Sequence, residues 1–347
     1  MKSITVKASK TYEVTVGNGL INEIGDRLKQ LNITGRLAVI TDKKVNSIYG
    51  ARLISALNGA GYDTALYVAR GGEKSKGGKE YLSALEFLAT NEFTRADTLI
   101  AFGGGVVGDL TGFIAGTYLR GINFIQVPTT LLAFADSSVG GKTAINLKAG
   151  KNLVGVFNQP KAVICDLDLI KTLSATDYAC GMAEIIKYGM IFDKDLLSML
   201  KEGMSKHAEE IVARCIDLKR IVVEKDERDN GERQLLNFGH TLGHAIERVS
   251  NYKISHGQAV AVGMRLITER AVEKGVCEKD ALDILLALLN KYDLPEMTDI
   301  KIEELFEKTL VDKKRKGDVI TVVLPEKTGV CTLKNMGVDE WKEFILG

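Results

Sequence analysis

Thr98-Leu-Ile-Ala-Phe102, followed by Gly103-Gly-Gly-Val106-Val-Gly-Asp109 and the apolar helical run through Leu110, Phe113 and Ile114, decides the fold class. The first segment has the pattern of a buried strand. The spacing G-x-G-x-x-G between strand and helix lets the backbone approach a pyrophosphate, and the helix N-terminus offers unpaired N–H groups and a favourable dipole. A merely structural tight turn is the plainer reading of the same residues. Working outward, apolar bursts at residues 37–40, 65–68, 124–127 and 163–165 are separated mostly by segments with helical spacing, such as Ile48, Leu53, Ile54 and Leu57. Strand and helix alternate, which predicts an α/β layer with a mainly parallel sheet. Before it, Ile4, Val6, Tyr12, Val14 and Val16 alternate and stop at Gly17-Asn18-Gly19, which predicts an opening hairpin. The break between Pro128 and Pro160 is rich in Gly, Lys and Asn and reads as a long functional loop.

Beyond Thr172 the texture changes to a 3.6-residue period, as in Leu196, Leu197, Leu200 or Leu282, Leu285, Leu288. At 347 residues the chain exceeds what one core usually serves. Two domains are expected: an α/β dinucleotide-binding domain over 1–172 and a mostly α-helical domain over 173–347, with a short β-like pair at 319–324 and 330–333.

Composition narrows the function. Lys plus Arg total 46 against 45 Asp plus Glu, a net +1 that supplies no field for nucleic acid or an anionic membrane. Five scattered Cys without a C-x-x-C pair suggest neither a disulfide framework nor a thiolate zinc site. With no apolar leader-like stretch at Met1 to Lys10 and no membrane-length apolar run, a cytoplasmic protein is expected.

The glycine turn departs from the ordinary dinucleotide fold, because several strands precede it and the next strand ends Gln126-Val127-Pro128 rather than in an acid. Asp42, at the end of an earlier strand, is an available carboxylate for a ribose, although an Asp there is more often a cap. Gly140-Gly-Lys142-Thr143 is not a P-loop, since the first glycine of that motif would fall at Asp136.

Three of the four histidines lie in one window, Asn237-Phe-Gly-His240-Thr-Leu-Gly-His244-Ala-Ile-Glu247 and Ser255-His256-Gly257. His240 and His244 share a helical face, and imidazole is the commonest ligand for zinc-like ions. A catalytic site needs a third protein ligand, which spacing does not identify. Packed or solvated helix histidines are the bland alternative. In Gly181-Met-Ala-Glu184-Ile-Ile-Lys187, acid and amine share a face, and their bland reading is a surface ion pair. Lys142, Lys148 and Lys151, and Lys313-Lys-Arg-Lys316, suit an anionic small molecule or a solvated surface equally.

Taken in order, Gly103-Gly-Gly-Val-Val-Gly-Asp109, Pro128-Thr-Thr-Leu-Leu132, Asp136-Ser-Ser-Val-Gly-Gly-Lys142-Thr143, Gly150-Lys-Asn152, Gly181-Met-Ala-Glu-Ile-Ile-Lys187 and the histidine window resemble 3-dehydroquinate synthases over about residues 36 to 325. The resemblance implies an active site in a cleft between the two domains. It implies Glu184, His240 and His256 as ligands of a divalent metal, zinc or cobalt, leaving His244 for substrate, whereas spacing alone would pair His240 with His244. It implies NAD contacts at Asp42, Glu73, Lys76, Gly104, Gly105, Val106, Asp109, Thr129, Thr130, Lys151 and Thr172. Substrate contacts are implied at Asp136, Lys142, Asn152, Lys187, Lys219, Arg233, Asn237, His244 and one of Lys313 and Lys314, Lys314 being preferred, with Arg120 supplied by the partner of a homodimer. Asp229 stands where the family usually has Glu at a proton-acceptor position. Glu232 and Asn158 also depart from the usual pattern.

The implied activity converts 3-deoxy-D-arabino-heptulosonate 7-phosphate, a phosphorylated sugar acid, to 3-dehydroquinate and phosphate. NAD+ oxidises a ring hydroxyl, phosphate leaves by β-elimination, the hydride returns, and an aldol closure follows. The rival readings are a cyclase making an inosose or valiolone skeleton, and a polyol dehydrogenase that releases NADH.

Overall fold

The computed structural model describes residues 1–310 and 319–347. The chain enters through the hairpin β1 (Lys2–Lys7) and β2 (Thr11–Gly17), antiparallel with Lys2 opposite Val16. Strands β3 (Leu37–Asp42), β4 (Thr64–Ala69), β5 (Thr98–Gly103) and β6 (Asn123–Pro128) follow, each separated from the next by helix. The segment from Pro128 to Pro160 is not the loop its composition suggests: it holds an antiparallel hairpin, β7 (Lys142–Leu147) and β8 (Gly150–Phe157). Strand β9 (Ala162–Asp166) completes a seven-stranded sheet of order β1-β2-β9-β6-β5-β3-β4, parallel except for the opening hairpin.

The apolar bursts are buried strands because both faces of a parallel sheet are covered. Leu99, Phe124, Ala38 and Ile40 pack with Leu110, Phe113 and Ile114 of the helix Gly105–Thr117 and with Leu88 of the helix Gly78–Thr90. At the end of β9 the wholly buried Asp166 carboxylate accepts N–H groups of Gly19 at 2.9 Å, Ile21 at 2.9 Å and Asp168 at 3.0 Å. Alanine at Asp166 leaves the Ile21 and Asp168 N–H groups without this acceptor, while Gly19 N–H keeps the Asp168 carboxylate at 3.1 Å. Orphaned buried donors cost about 1–3 kcal/mol each, so a loss of about 3 kcal/mol in urea-denaturation stability is expected, with the glycine turn left intact.

Contacts divide the chain into one unit of Met1–Leu173 with Lys219–Arg228 and another of Ser174–Leu218 with Asp229–Gly347. Lys219–Arg228, the last turns of the helix Met204–Lys225 and the residues after it, thus group with the first unit. Side chains set that grouping, as described below, and helical periodicity carries no trace of it.

The second unit is built on the helices Ala175–Phe192, His240–Val249 and His256–Glu273, joined by Lys279–Lys291, Ile302–Thr309 and Val338–Leu346. Met182, Ile186, Leu242, Ile246, Val260, Met264, Leu285 and Trp341 are fully buried within it. The β-like pair is the antiparallel hairpin β10 (Val319–Lys327) and β11 (Val330–Gly337). Among the described residues no helix is long and apolar enough to cross a membrane.

Candidate metal centre and dinucleotide turn

In the second unit, Gly239 takes φ +77 ahead of His240, where a side chain would be strained and would also meet Met264 and the Val260 carbonyl. Glycine there lets the helix that begins at His240 lie against the helix that begins at His256. Gly257 does the same on the other side, since a Cβ would run into the backbone of Cys180 on the helix carrying Glu184. The Ser255 and Gln258 capping box fixes where the His256 helix starts. Three helices thus bring Glu184, His240 and His256 together, with one ligand atom from each lying within 4.8 Å of the others.

Glu184 Oε1 lies 3.3 Å from His256 Nε2 and 3.8 Å from His240 Nε2. Tetrahedral ligands about 2.0–2.1 Å from a cation lie roughly 3.4 Å from one another, so this spacing suits a zinc-sized ion. The second partners point the same way. His240 Nδ1 faces the Phe238 carbonyl and His256 Nδ1 faces Glu247 Oε2, each at 3.1 Å. A carbonyl and a carboxylate only accept, so in the neutral rings both Nδ1 atoms carry the proton and both Nε2 atoms present a lone pair. Glu184 Oε2 is bound by the Lys187 ammonium, whereas buried Oε1 has no properly aligned hydrogen-bond partner among the described residues. One carboxylate oxygen is thus anchored and the other is aimed at the two imidazoles. Burial disfavours a charged His256, but Glu184 and Glu247 outweigh it and push its pKa up to about 10, so the pocket favours positive charge. The donor set fits a divalent cation.

His244, Glu247 and His256 form a second, overlapping group. Glu247 is already engaged at His256 Nδ1, the outer nitrogen, which favours the first set as ligands and Glu247 as their support. His244 stands edge-on to the His240 ring with centroids 5.3 Å apart. Glu247 was the residue that spacing could have revealed: 240, 244 and 247 fall on one helical face. The Glu184–Lys187 pair is no surface pair, since each side chain is 1% exposed. Arg233 is buried and Asn237 half-buried in the turn before His240. Lys313 and Lys314 lie outside the described residues.

In the first unit, Gly104 caps the helix Gly105–Thr117, whose first amides, Gly105, Val106 and Val107, have no intrahelical acceptor. Thr129 N–H donates to the Gly103 carbonyl at 3.0 Å, and Thr129 Oγ1 is buried without a hydrogen-bond partner among the described residues. Thr130 Oγ1 accepts from Ala133 N–H at 3.3 Å. The Lys76 ammonium binds Asp109 and Asn152, and Asn152 holds φ +54. Burial raises the Asp109 carboxyl pKa and Lys76 acts against it. Glu73 accepts from Asn146 at 2.7 Å and lies 3.9 Å from the Lys151 ammonium. Free amides, an orphaned hydroxyl and cationic neighbours fit the phosphates and ribose of a dinucleotide.

Asp42 caps the short helix after β3, its Oδ1 accepting from Val45 N–H at 3.0 Å. The hydroxyls of Thr172 and Tyr49 lie 2.8 Å apart. Lys219 binds both the backbone carbonyl and the carboxylate of Asp136. Lys142, at the start of β7, and Arg120, at φ +66, are exposed.

Residues 66–180 match the family model described as 3-dehydroquinate synthase N-terminal, and residues 181–315 match the one described as 3-dehydroquinate synthase C-terminal. The 3-dehydroquinate synthase of Clostridium botulinum (strain Alaska E43 / Type E3) is 44% identical over 356 residues, covering 99% of this chain and all of that one. Among solved structures, a 2-deoxy-scyllo-inosose synthase complexed with carbaglucose-6-phosphate, NAD+ and Co2+ superposes with a TM-score of 0.86 at 24% identity, over the full length of both chains. The 2-epi-5-epi-valiolone synthase of Streptomyces hygroscopicus subsp. jinggangensis 5008, with NAD+ and Zn2+ bound, superposes at 0.88 with 22% identity over 99% of this chain and 98% of that one. Those two share the fold; the two family models and the relative matched from end to end go further, and with them the chain belongs to the 3-dehydroquinate synthase family.

Proposed function

We propose that the chain is a cytoplasmic, NAD- and metal-dependent carbon–oxygen lyase that converts 3-deoxy-D-arabino-heptulosonate 7-phosphate to 3-dehydroquinate and phosphate. The observation that carries the reading is the buried Glu184 Oε1 facing two imidazole nitrogens, in a chain of this family. Identity of 44% to a 3-dehydroquinate synthase, against 24% and 22% to the inosose and valiolone synthases, supports this substrate over theirs.

When bound, the nicotinamide would accept and return a hydride while zinc or cobalt would polarise the hydroxyl being oxidised, and the resulting ketone acidifies the neighbouring C–H for β-elimination. Glu184, His240 and His256 hold the cation, with Glu247 and the Phe238 carbonyl fixing the two rings. Gly104, Gly105 and Val106 offer amides to the pyrophosphate. Lys76, Asp109, Thr129, Thr130, Lys151, Glu73, Asp42 and Thr172 complete the dinucleotide contacts. Lys142, Lys187, Lys219 and Arg233 provide cationic donors for carboxylate and phosphate, with Asp136, Asn152, Asn237 and Lys314 orienting the sugar. His244 moves protons, its imidazole being suited to that near neutral pH.

A homodimer fits the exposed Arg120 and the apolar Leu153, Val154 and Phe157 that β8 turns outward. The test supplies trace NAD+ and a stoichiometric excess of the heptulosonate phosphate. Phosphate release in large excess over NAD+, with no lasting NADH absorbance, is expected; NADH accumulating one-for-one with product would indicate a dehydrogenase.

A further inference from the structure

Glu227 lies in the segment Asp226-Glu-Arg-Asp229, where the family resemblance gives it no role. Its carboxylate gathers three hydrogen bonds from two distant parts of the first unit. Ser9 donates its N–H to Oε2 at 2.8 Å and its hydroxyl to Oε1 at 2.6 Å, and Gln159 Nε2 donates to Oε1 at 2.8 Å. One turn earlier, Glu224 Oε1 accepts the Lys7 N–H at 2.7 Å, and the Arg228 guanidinium sits over the Phe157 ring at 5.3 Å. The turn between β1 and β2 and the end of β8 therefore clamp Lys219–Arg228 from two sides.

What the clamp holds is chemical. Lys219 begins this segment, 5% exposed, with its ammonium on Asp136. Gln159 packs against Gly141, where a Cβ would stand 2.7 Å from its amide carbon, and Gly141 at φ +69 directly precedes Lys142. Tyr12 of β2 accepts the Gly140 N–H at 3.1 Å, so the same hairpin also braces this turn. Burial works against an ionised Glu227, yet the hydrogen bonds from Ser9 and Gln159 win and keep its carboxyl pKa below the ordinary value.

We infer that Glu227 is a positioning residue: it ties the Lys219 helix and the Gly141–Lys142 turn to one carboxylate and so sets the two ammonium groups for a doubly anionic substrate. The inference rests on the substrate proposed above. Charged side chains on long stems lose rotamer entropy on binding, and pre-placing them lowers that cost.

The test is a double-mutant cycle with zinc-loaded protein, reading phosphate release for wild type, Glu227→Ala, Lys219→Ala and the pair. Glu227→Ala should raise KM for the heptulosonate phosphate about tenfold, the scale of one lost charge-assisted hydrogen bond, and leave KM for NAD+ unchanged. In the Lys219→Ala background the same change should raise the sugar KM by clearly less than about tenfold, because the part of its effect that travels through Lys219 is gone and only the part through Lys142 remains. Equal factors in both backgrounds, or a parallel rise in KM for NAD+, would mark a general structural role and overturn the inference. If Glu227→Ala does not fold, Glu227→Gln, which keeps size and an acceptor for Ser9, should show the same split at smaller scale, and its absence overturns the inference as well. Wild type that turns over while the cycle fails sinks only Glu227's role; wild type that does not turn over the sugar sinks both.

Discussion

His256→Ala should lose the cation and with it turnover, while NAD+ still binds. His256 begins a helix whose capping box is made by Ser255 and Gln258, so the helix start survives the substitution. What goes is one of the three proposed ligand atoms and the ring that faces Glu247. A catalytic cation supplies several kcal/mol of charge stabilisation, and at about 1.4 kcal/mol per tenfold its loss lowers kcat/KM by about a thousandfold or more. Metal content after dialysis should fall well below one per chain. Calorimetry with NAD+ should change little, since the dinucleotide contacts proposed here all belong to the first unit. A variant that keeps its metal and its rate would remove His256 from the centre.

Glu184→Gln should be the most destabilising change at the site relative to its size. The carboxylate and the Lys187 ammonium are both 1% exposed, so the amide removes the Glu184 charge from beside a buried cation. Breaking such a pair from one side costs about 3–5 kcal/mol. Denaturant titrations of metal-free protein should show a loss of that order. They should also show that added zinc no longer stabilises the fold, because mass-action stabilisation requires affinity for the native state. The pair Glu184→Gln and Lys187→Met should recover most of the stability without recovering zinc binding. Recovered zinc affinity in that double variant would show that Glu184 is not a ligand.

The parts of the fold that the sequence makes legible are those where one period dominates. Buried parallel strands show as apolar runs because both faces are covered, and β5, the strand before the glycines, pairs in parallel with β3 and β6. The β7–β8 hairpin is hidden because its buried face is short: Thr143 and Ile145 of β7 are buried, whereas Leu153, Val154 and Phe157 of β8 are exposed among Gly, Asn and Lys, so little alternation of apolar and polar residues marks it. Lys219–Arg228 looks like any helix end, and the carboxylates of Glu224 and Glu227 on the first hairpin, with Lys219 on Asp136, reveal where it belongs.

At the site, the clustering of histidines is legible and their grouping is not. Spacing joins His240 to His244 across one turn, whereas the shortest imidazole–carboxylate approach to Glu184 comes from His256, on the next helix. That approach depends on Gly239 and Gly257 letting helices touch, a tertiary fact with only a glycine to announce it. Lys187 likewise reads as a substrate contact or a surface pair, and its burial against Glu184 pairs it with a proposed metal ligand.

X-ray absorption at the metal edge of zinc-loaded protein addresses the centre most directly. Two imidazole nitrogens and one carboxylate oxygen at about 2.0–2.1 Å, with that centre lost in His256→Ala and unchanged in His244→Ala, is the outcome expected. An ion without imidazole neighbours, or one that loses a ring when His244 rather than His256 is replaced, would contradict the assignment of Glu184, His240 and His256.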